Sequence, residues 1–137
     1  MLTLNVNWMA IVLATLASTA LGMGWYMVLS KQWVAATGKK QEDLVSPNGR
    51  FVQFGFAAAS QFVMAYFIAV LTPLLMGGVI NPGNAVWSAI YIWAGFVITT
   101  MIINHRYQNM SWKLTLIDGG YLLAVLVLDG IIIGQLG

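Results

Sequence analysis

Long apolar stretches separated by short polar segments dominate the pattern of this chain. Residues 5–29 contain no charged side chain, and none occurs between Phe51 and Asn104. A bilayer crossing needs about 20 apolar residues, so the second stretch is long enough for two crossings. Gly77-Gly78 and the Asn-Pro-Gly-Asn segment at 81–84 supply a turn that divides it. The pattern predicts four transmembrane helices, near 5–29, 51–76, 85–104 and 113–135.

The composition agrees with a membrane protein and excludes an ordinary soluble domain. Charged residues make up 7% of the chain and hydrophobic residues 60%. Soluble domains contain roughly 25% charged and roughly 45–50% apolar residues. We therefore predict an all-α integral membrane four-helix bundle with antiparallel spans, formed by a single transmembrane domain over residues 1–137.

The basic residues predict how the bundle is oriented. Residues 30–50 form the longest polar loop, in which Pro47, Asn48 and Gly49 indicate a turn and a short surface helix fits the middle. This loop and residues 105–113 together hold all six Lys and Arg residues. Basic loops stay on the cytoplasmic side of a membrane. The pattern predicts a multi-pass protein of the cell inner membrane, with basic loops cytoplasmic and both termini outside, in the periplasm.

Few side chains of this chain offer catalytic chemistry. There is no Cys, and His105 is the one His, so disulfides and thiol chemistry are excluded and no set of converging metal ligands is visible. No nucleophile–base pair, phosphate-binding glycine loop or HExxH element occurs. The sequence therefore predicts a non-enzymatic protein without a metal or a cofactor, and its basic loops indicate topology rather than nucleic-acid binding.

Two carboxylates lie in the fourth apolar stretch, where a charge is costly. Asp118 and Asp129 differ by about 20° around a helix and are roughly 16 Å apart along it. Asp118 falls near the cytoplasmic interface, within reach of water or of His105, Arg106 or Lys113. We favour a helix-start carboxylate that stabilises the helix dipole.

Asp129 lies deeper, with no basic residue at its depth, and two interpretations stay open. It couples protons or cations in a small transporter, or it sits near the outer end of the helix and reaches the headgroups, which is the reading we favour. At depth it has to be protonated, line a wet cavity or accept hydrogen bonds from polar neighbours. Tyr121, Gln61 and Tyr66 complete a candidate intramembrane polar site with the two aspartates.

Small residues recur at four-residue spacing on the first and fourth helices, where they let helices approach closely in lipid. We favour packing inside the bundle, and a seam between copies is the alternative. These positions are Ala10, Ala14, Ser18, Gly22, Gly130 and Gly134.

A polar cluster at the inner interface is a further candidate site. Its members are Asn104, His105, Arg106 and Lys113. We favour a solvated loop, with binding of a lipid headgroup as the alternative.

Several short motifs keep their order and spacing over nearly the whole chain. They are Asn7-Trp8, Gly22-x-x-Trp25-Tyr26, Lys31-x-Trp33 with Gly38, Glu42-Asp43, Met64-Ala65-Tyr66, Trp93-x-Gly95-Phe96, Asn104, and Lys113-Leu114 through Gly120-Tyr121. In these motifs the chain resembles the bacterial four-helix membrane proteins of the domain of unknown function 1761 family. The resemblance implies a fold and a location, and it implies no activity, cofactor or catalytic residue. That family usually has Asn-Ala-Gly-Tyr in place of Asp118-Gly119-Gly120-Tyr121 and an apolar residue near position 129, so both carboxylates depart from it.

Three functions follow as hypotheses. The first is a non-enzymatic accessory or structural subunit that self-associates or joins a larger membrane complex. The second is a small proton- or cation-coupled transporter or channel subunit that uses Asp129. The third is a lipid- or quinone-binding membrane protein that uses the 104–107 region. The expected partners are membrane lipids and either further copies of the chain or another membrane protein, without nucleic acid.

Overall fold

The computed structural model describes residues 5–40, 42 and 50–137, and within these ranges the chain is helical with no strand. A π-helical turn, Trp93–Val97, joins α4 and α5 into one continuous span. The α-helices are α1 (Trp8–Val28), α2 (Ser30–Thr37), α3 (Arg50–Leu75), α4 (Pro82–Ile92), α5 (Ile98–Tyr107) and α6 (Trp112–Leu136).

Four helical segments are long and apolar enough to cross a membrane, which confirms the predicted all-α membrane fold with four spans. Their bounds differ from the predicted ones by at most three residues. The predicted turn at 47–49 and Asp43 of the family motif lie outside the described residues. The four spans are Trp8–Val28, Phe51–Leu75, Pro82–Tyr107 and Trp112–Leu136.

Local sequence explains where three of the spans begin and where α3 ends. Asn7, Asn81 and Ser111 each cap a helix, because the side chain of each accepts a hydrogen bond from the backbone N–H three residues further on. After α3, Gly77 and Gly78 adopt φ values of 66° and 88°, which favour glycine. This turn separates the second span from the third, as the sequence predicted.

The central helix of the bundle is α6, which packs against every other α-helix. Its buried positions run from Leu114 to Gly134. Two of its glycines bring its backbone against that of α4. A Cβ atom added at Gly130 would lie 2.9 Å from the carbonyl oxygen of Ala85, and one at Gly134 would lie 2.5 Å from Cα of Pro82. Only glycine permits this approach of α4 to α6.

The small-residue stripe of α1 faces the interior of the bundle. Ala10, Ala14 and Ser18 are fully buried. Gly22 faces α6, since a Cβ atom added there would lie 2.9 Å from the hydroxyl of Tyr121. The stripe therefore serves packing within one chain and is not available for a seam between copies.

A short helix, α2, docks against the start of α6. Its buried Ala36 packs with Leu114 and Ile117. The hydroxyl of Ser111 donates a 2.7 Å hydrogen bond to the carbonyl oxygen of Ala36. The polar segment after α1 is thereby held against the end of the bundle that carries the α5–α6 turn.

Candidate functional site

Asp118 does not lie at the helix start, so the prediction of a dipole-stabilising carboxylate is wrong. α6 begins at Trp112, its first turn contains no acidic residue, and Asp118 lies in the second turn. Stabilisation by the helix dipole fades beyond the first turn. Instead, the Tyr26 hydroxyl of α1 donates a 2.6 Å hydrogen bond to Asp118 Oδ1.

The predicted interface cluster is tied to the α5–α6 turn, and its His105 also interacts electrostatically with Asp118. His105 Nδ1 lies 2.7 Å from Thr115 Oγ1, and Arg106 Nη2 donates to the same hydroxyl over 2.9 Å. The Arg106 guanidinium also lies 3.7 Å from the centre of the Trp112 ring, a cation–π contact. These bonds stabilise the turn. The other two members, Asn104 and Lys113, are exposed.

Two indole rings hydrogen bond to the backbone of α6 next to Asp118. Trp93 Nε1 donates a 2.9 Å hydrogen bond to the Gly119 carbonyl oxygen, and Trp25 Nε1 donates a 3.2 Å bond to that of Ile117. A Cβ atom added at Gly120 would lie 3.3 Å from the Trp25 ring. A helix carbonyl has a second lone pair for such a donor. Gly120 therefore makes room for the Trp25 ring, and Gly119 makes room for Ile98, whose Cδ1 would lie 2.7 Å from an added Cβ atom.

Gln61 and Tyr121, two of the predicted polar residues, meet in one hydrogen-bonded network. The buried Gln61 amide of α3 hydrogen bonds the Tyr121 hydroxyl and lies 2.8 Å from Thr19 Oγ1. Thr19 Oγ1 also lies 2.8 Å from the Thr15 carbonyl oxygen. Gln61 Nε2 donates to the Tyr121 hydroxyl, and the Thr19 hydroxyl donates towards both Gln61 Oε1 and the Thr15 carbonyl oxygen. The orientation of a side-chain amide is assigned from such networks.

This network lines a cleft of about 360 Å³ between α1 and α3, here named the α1–α3 cleft. Its residues come from the last turns of α1 and the first turns of α3, so the cleft lies in the half of the bundle nearer the basic loops. Its polar lining residues are Thr19, Tyr26, Gln53, Gln61 and Tyr121, and the others are Gly22, Met23, Phe54 and Ala57.

Tyr66, the remaining predicted polar residue on α3, takes no part in the cleft. Its ring stacks on Trp8 with the centroids 5.6 Å apart and meets Phe67 edge-on. It therefore belongs to an aromatic group on the side of α1 where the chain begins.

Asp129 is fully buried and does not reach the headgroups, so the favoured reading of this residue is wrong. Ser18 Oγ of α1 donates a 2.5 Å hydrogen bond to Asp129 Oδ1, while no described residue hydrogen bonds Oδ2. The nearest basic residue along α6, Lys113, is about 24 Å away along the helix axis. The carboxylate thus lies inside the protein with a single hydroxyl donor.

The structure therefore divides the predicted intramembrane site into separate places. Asp118 is joined to the cleft through Tyr26, whose ring meets that of Tyr121 edge-on with the centroids 5.0 Å apart. Gln61 joins Tyr121 at the same cleft, whereas Asp129 joins Ser18 further along α6. Tyr26 was not predicted as a site residue, although it belongs to the Gly22-x-x-Trp25-Tyr26 motif. It lies four residues beyond Gly22, so the spacing of the α1 stripe already placed it on the face that meets α6.

A family model matches residues 9–134, which include the cleft and both aspartates. The chain belongs to the DUF1761 family, described as proteins of unknown function. This match confirms the resemblance drawn from the motifs. No curated protein matches the chain. No solved structure matches it either.

The chemistry offered by this DUF1761 protein is hydrogen bonding and carboxylate chemistry within a membrane. In the part of the chain that the structure describes, no three His, Asp or Glu side chains come together as metal ligands. The cleft offers an amide and hydroxyls beside apolar walls, and the Asp129 region offers oxygen atoms inside the bundle. These two places are the candidates for ligand binding.

Proposed function

We propose that this membrane protein binds a small amphiphile, a lipid or a quinone, in the α1–α3 cleft. The observation that carries the proposal is the convergence of Gln61, Tyr121 and Thr19 on one cleft with apolar walls. Ligand sites are typically about 300–1,000 Å³, mostly apolar, with a few placed polar groups. At about 360 Å³, the cleft holds a ring or the ester region of a lipid, while the tail extends along the helices.

The lining residues favour a neutral group of the ligand inside the cleft, with any phosphate outside it. None of the described lining residues carries a charge, whereas Gln61 can both donate and accept, and Tyr26 and Tyr121 carry hydroxyls. A quinone or ester carbonyl accepts hydrogen bonds from such groups. A phosphate, by contrast, is normally held by Arg, Lys or a helix N-terminus. The recognised chemistry is therefore a carbonyl attached to an apolar tail.

Binding measurements on purified protein in detergent test this proposal and separate the two sources of such a carbonyl. The probes are a short-chain prenyl benzoquinone and a short-chain phosphatidylglycerol, with tryptophan fluorescence as the signal and native mass spectrometry to detect co-purified molecules. Ala57→Leu fills the cleft and Gln61→Leu removes the amide. Ala59→Leu is the matched control, because Ala59 is exposed on the same helix outside the lining.

The expected result is that the native chain and Ala59→Leu bind one probe alike. Each cleft variant should bind at least about tenfold more weakly, which corresponds to about 1.4 kcal/mol. Equal affinity for all four proteins would place the amphiphile elsewhere and contradict the proposal. Preference for the quinone or for the phospholipid decides which source of the carbonyl the cleft accepts.

We also propose that both termini face the periplasm, as expected for an inner-membrane protein with cytoplasmic basic loops. The support is the position of five basic residues in or directly beside the connections between spans one and two or three and four, namely Lys31, Lys39, Lys40, Arg106 and Lys113. A role as an accessory or self-associating subunit remains an alternative. Its main sequence support, the stripe on α1, faces inward.

A further inference from the structure

Two fully buried side-chain oxygens near the contact of α4 with α6 lack hydrogen-bond partners among the described residues. They are Asp129 Oδ2 and Ser88 Oγ. The large majority of buried polar side-chain atoms in native proteins have a partner, and exceptions point to a water or an ion. A third such atom, Arg106 Nε, lies beside the α5–α6 turn, so the two oxygens are the exceptions near the contact of α4 with α6.

Ser88 is unusual among the hydroxyl residues inside the spans. A hydroxyl within a helix normally bonds the carbonyl oxygen four residues earlier. Ser18 departs from this pattern because it donates to Asp129. Ser88 departs from it without any partner in the described chain, so its hydroxyl is available to a ligand. The residues that follow the normal pattern are Thr15, Thr19, Thr72, Thr99 and Thr100.

The two unpartnered oxygens lie at nearly the same level of the bundle. Gly130, the neighbour of Asp129, meets the backbone of Ala85 on α4. Ser88 follows Ala85 by almost one helical turn. Because α4 and α6 run antiparallel, Ser88 is level with a point on α6 about 3 Å from Asp129 along the axis. The carboxylate on α6 is thus bonded by Ser18 on α1, and Ser88 on α4 lies near the same height of the bundle.

The charge of Asp129 requires a positive partner. An ionised carboxylate buried without one is strongly disfavoured, and the Lys and Arg residues that the structure describes lie at the other end of the bundle. The tyrosines of the packed elements do not supply a hydrogen bond. Tyr26 bonds Asp118, Tyr121 bonds Gln61, Tyr66 stacks on Trp8, and Tyr91 is exposed.

We propose that Asp129, Ser18 and Ser88 form a binding site for one small monovalent cation, a proton or Na⁺, inside the bundle. The donors are all oxygen atoms, which suit hard cations. A single carboxylate supplies one negative charge, which one monovalent cation neutralises. The site is separate from the α1–α3 cleft and does not depend on an amphiphile binding there.

Thermal unfolding of the purified full chain in detergent tests the site, because a ligand that binds the folded state raises the melting temperature. The native protein is compared in NaCl and in choline chloride at equal ionic strength, and over a pH series in choline chloride. Asp129→Asn removes the charge and keeps the shape of the side chain. Asp118→Asn is the matched control, since it removes the other carboxylate of the same helix.

The native chain and Asp118→Asn should gain melting temperature with Na⁺ or with acid, beyond any gain shown by Asp129→Asn. A gain with Na⁺ at fixed pH identifies Na⁺, and a gain with acid alone identifies the proton. In the proton case, the infrared band of a protonated carboxylic acid should be present in the native chain and absent from Asp129→Asn. A native chain that responds no more than Asp129→Asn overturns the proposal.

Ser88→Ala tests whether the Ser88 hydroxyl binds the cation. This test can be made even if Asp129→Asn does not fold. If Ser88 is a ligand, the variant should need a roughly three- to tenfold higher cation concentration to reach half of the full stabilisation. This factor corresponds to the loss of about one hydrogen bond. If its hydroxyl is merely unsatisfied, the variant should be more stable than the native chain and respond to cations unchanged. The latter result removes Ser88 from the site and refutes the three-residue assignment.

Discussion

Replacing Gly130 by Ala should loosen the contact between α4 and α6. The added Cβ would lie 2.9 Å from the Ala85 carbonyl oxygen and 3.1 Å from the Val86 nitrogen. This is about 0.6 Å inside the roughly 3.5 Å separation of an ordinary contact. The obstructing atoms belong to the backbone, so no side-chain rotation relieves the clash and one helix has to move. Overpacking of this kind costs about 1–3 kcal/mol.

Substitutions at two further glycines provide the comparisons for this prediction. Gly134→Ala meets the backbone of Pro82 at 2.5 Å, about 1.0 Å inside an ordinary contact, and should also destabilise the fold. Gly55 of α3 has no heavy atom near an added Cβ. Gly55→Ala should therefore leave the free energy of unfolding unchanged or raise it by about 0.5–1 kcal/mol, because Ala is the better helix former.

The assay is reversible unfolding in mixed micelles with increasing SDS, followed by far-UV circular dichroism. The Gly130 and Gly134 variants should unfold at lower SDS fractions than the native chain, with Gly55→Ala at or above it. Near the helix end, Gly134 can relax by fraying of the last turn, so Gly130 gives the stricter test. If Gly130→Ala were as stable as Gly55→Ala, the close approach of α4 to α6 would be refuted.

Two other predictions concern orientation and Asp118. The native chain has no Cys, so single cysteines can be labelled selectively. Gly137→Cys should react with a membrane-impermeant maleimide on intact cells, whereas Lys39→Cys should react only after permeabilisation. The reverse pattern would show that the bundle has the opposite orientation in the membrane. Tyr26→Phe should lower the free energy of unfolding by about 1–3 kcal/mol, because it removes one observed donor to Asp118. In the background of Asp118→Leu the same change should cost less, and an equal cost in both backgrounds would mean that the hydrogen bond does not contribute.

The hydropathy pattern predicted the spans because a polar group in lipid, or an apolar group in water, costs much free energy. Each segment's own residues determine this cost, so the sequence reveals it directly. The uncharged stretch between Phe51 and Asn104, which Gly77-Gly78 interrupts, was sufficient to predict two helices and a turn. The π-helical turn at Trp93–Val97 was not predicted. Its signal does not lie in hydropathy, since the turn is as apolar as the helices on both sides.

The partners of the polar residues could not be predicted, because they depend on how each helix rotates about its axis. Asp118 was expected to lie within reach of the basic side chains next to the loop, and it does interact with His105, but its hydrogen-bond donors Tyr26 and Trp33 were not predicted. The burial of Asp129 inside the bundle was not predicted, because a position along a helix does not say whether a residue faces lipid or protein. Asp129 faces protein because its carboxylate meets Ser18 of the α1 stripe. The two residues are 111 positions apart in the sequence, so no local pattern predicts their contact.

The position of α6 explains why one helix carries both carboxylates. Because the other helices pack around it, polar groups on α6 meet protein rather than lipid, while the outer spans turn residues such as Phe56 and Phe96 outward. α1 then links the two proposed sites, since Ser18 bonds Asp129 and the adjacent Thr19 lines the α1–α3 cleft. Adjacent helical residues point about 100° apart. A rotation of α1 that moves Thr19 out of the cleft therefore also moves Ser18 relative to Asp129, so the two sites share a mechanical connection although they share no ligand.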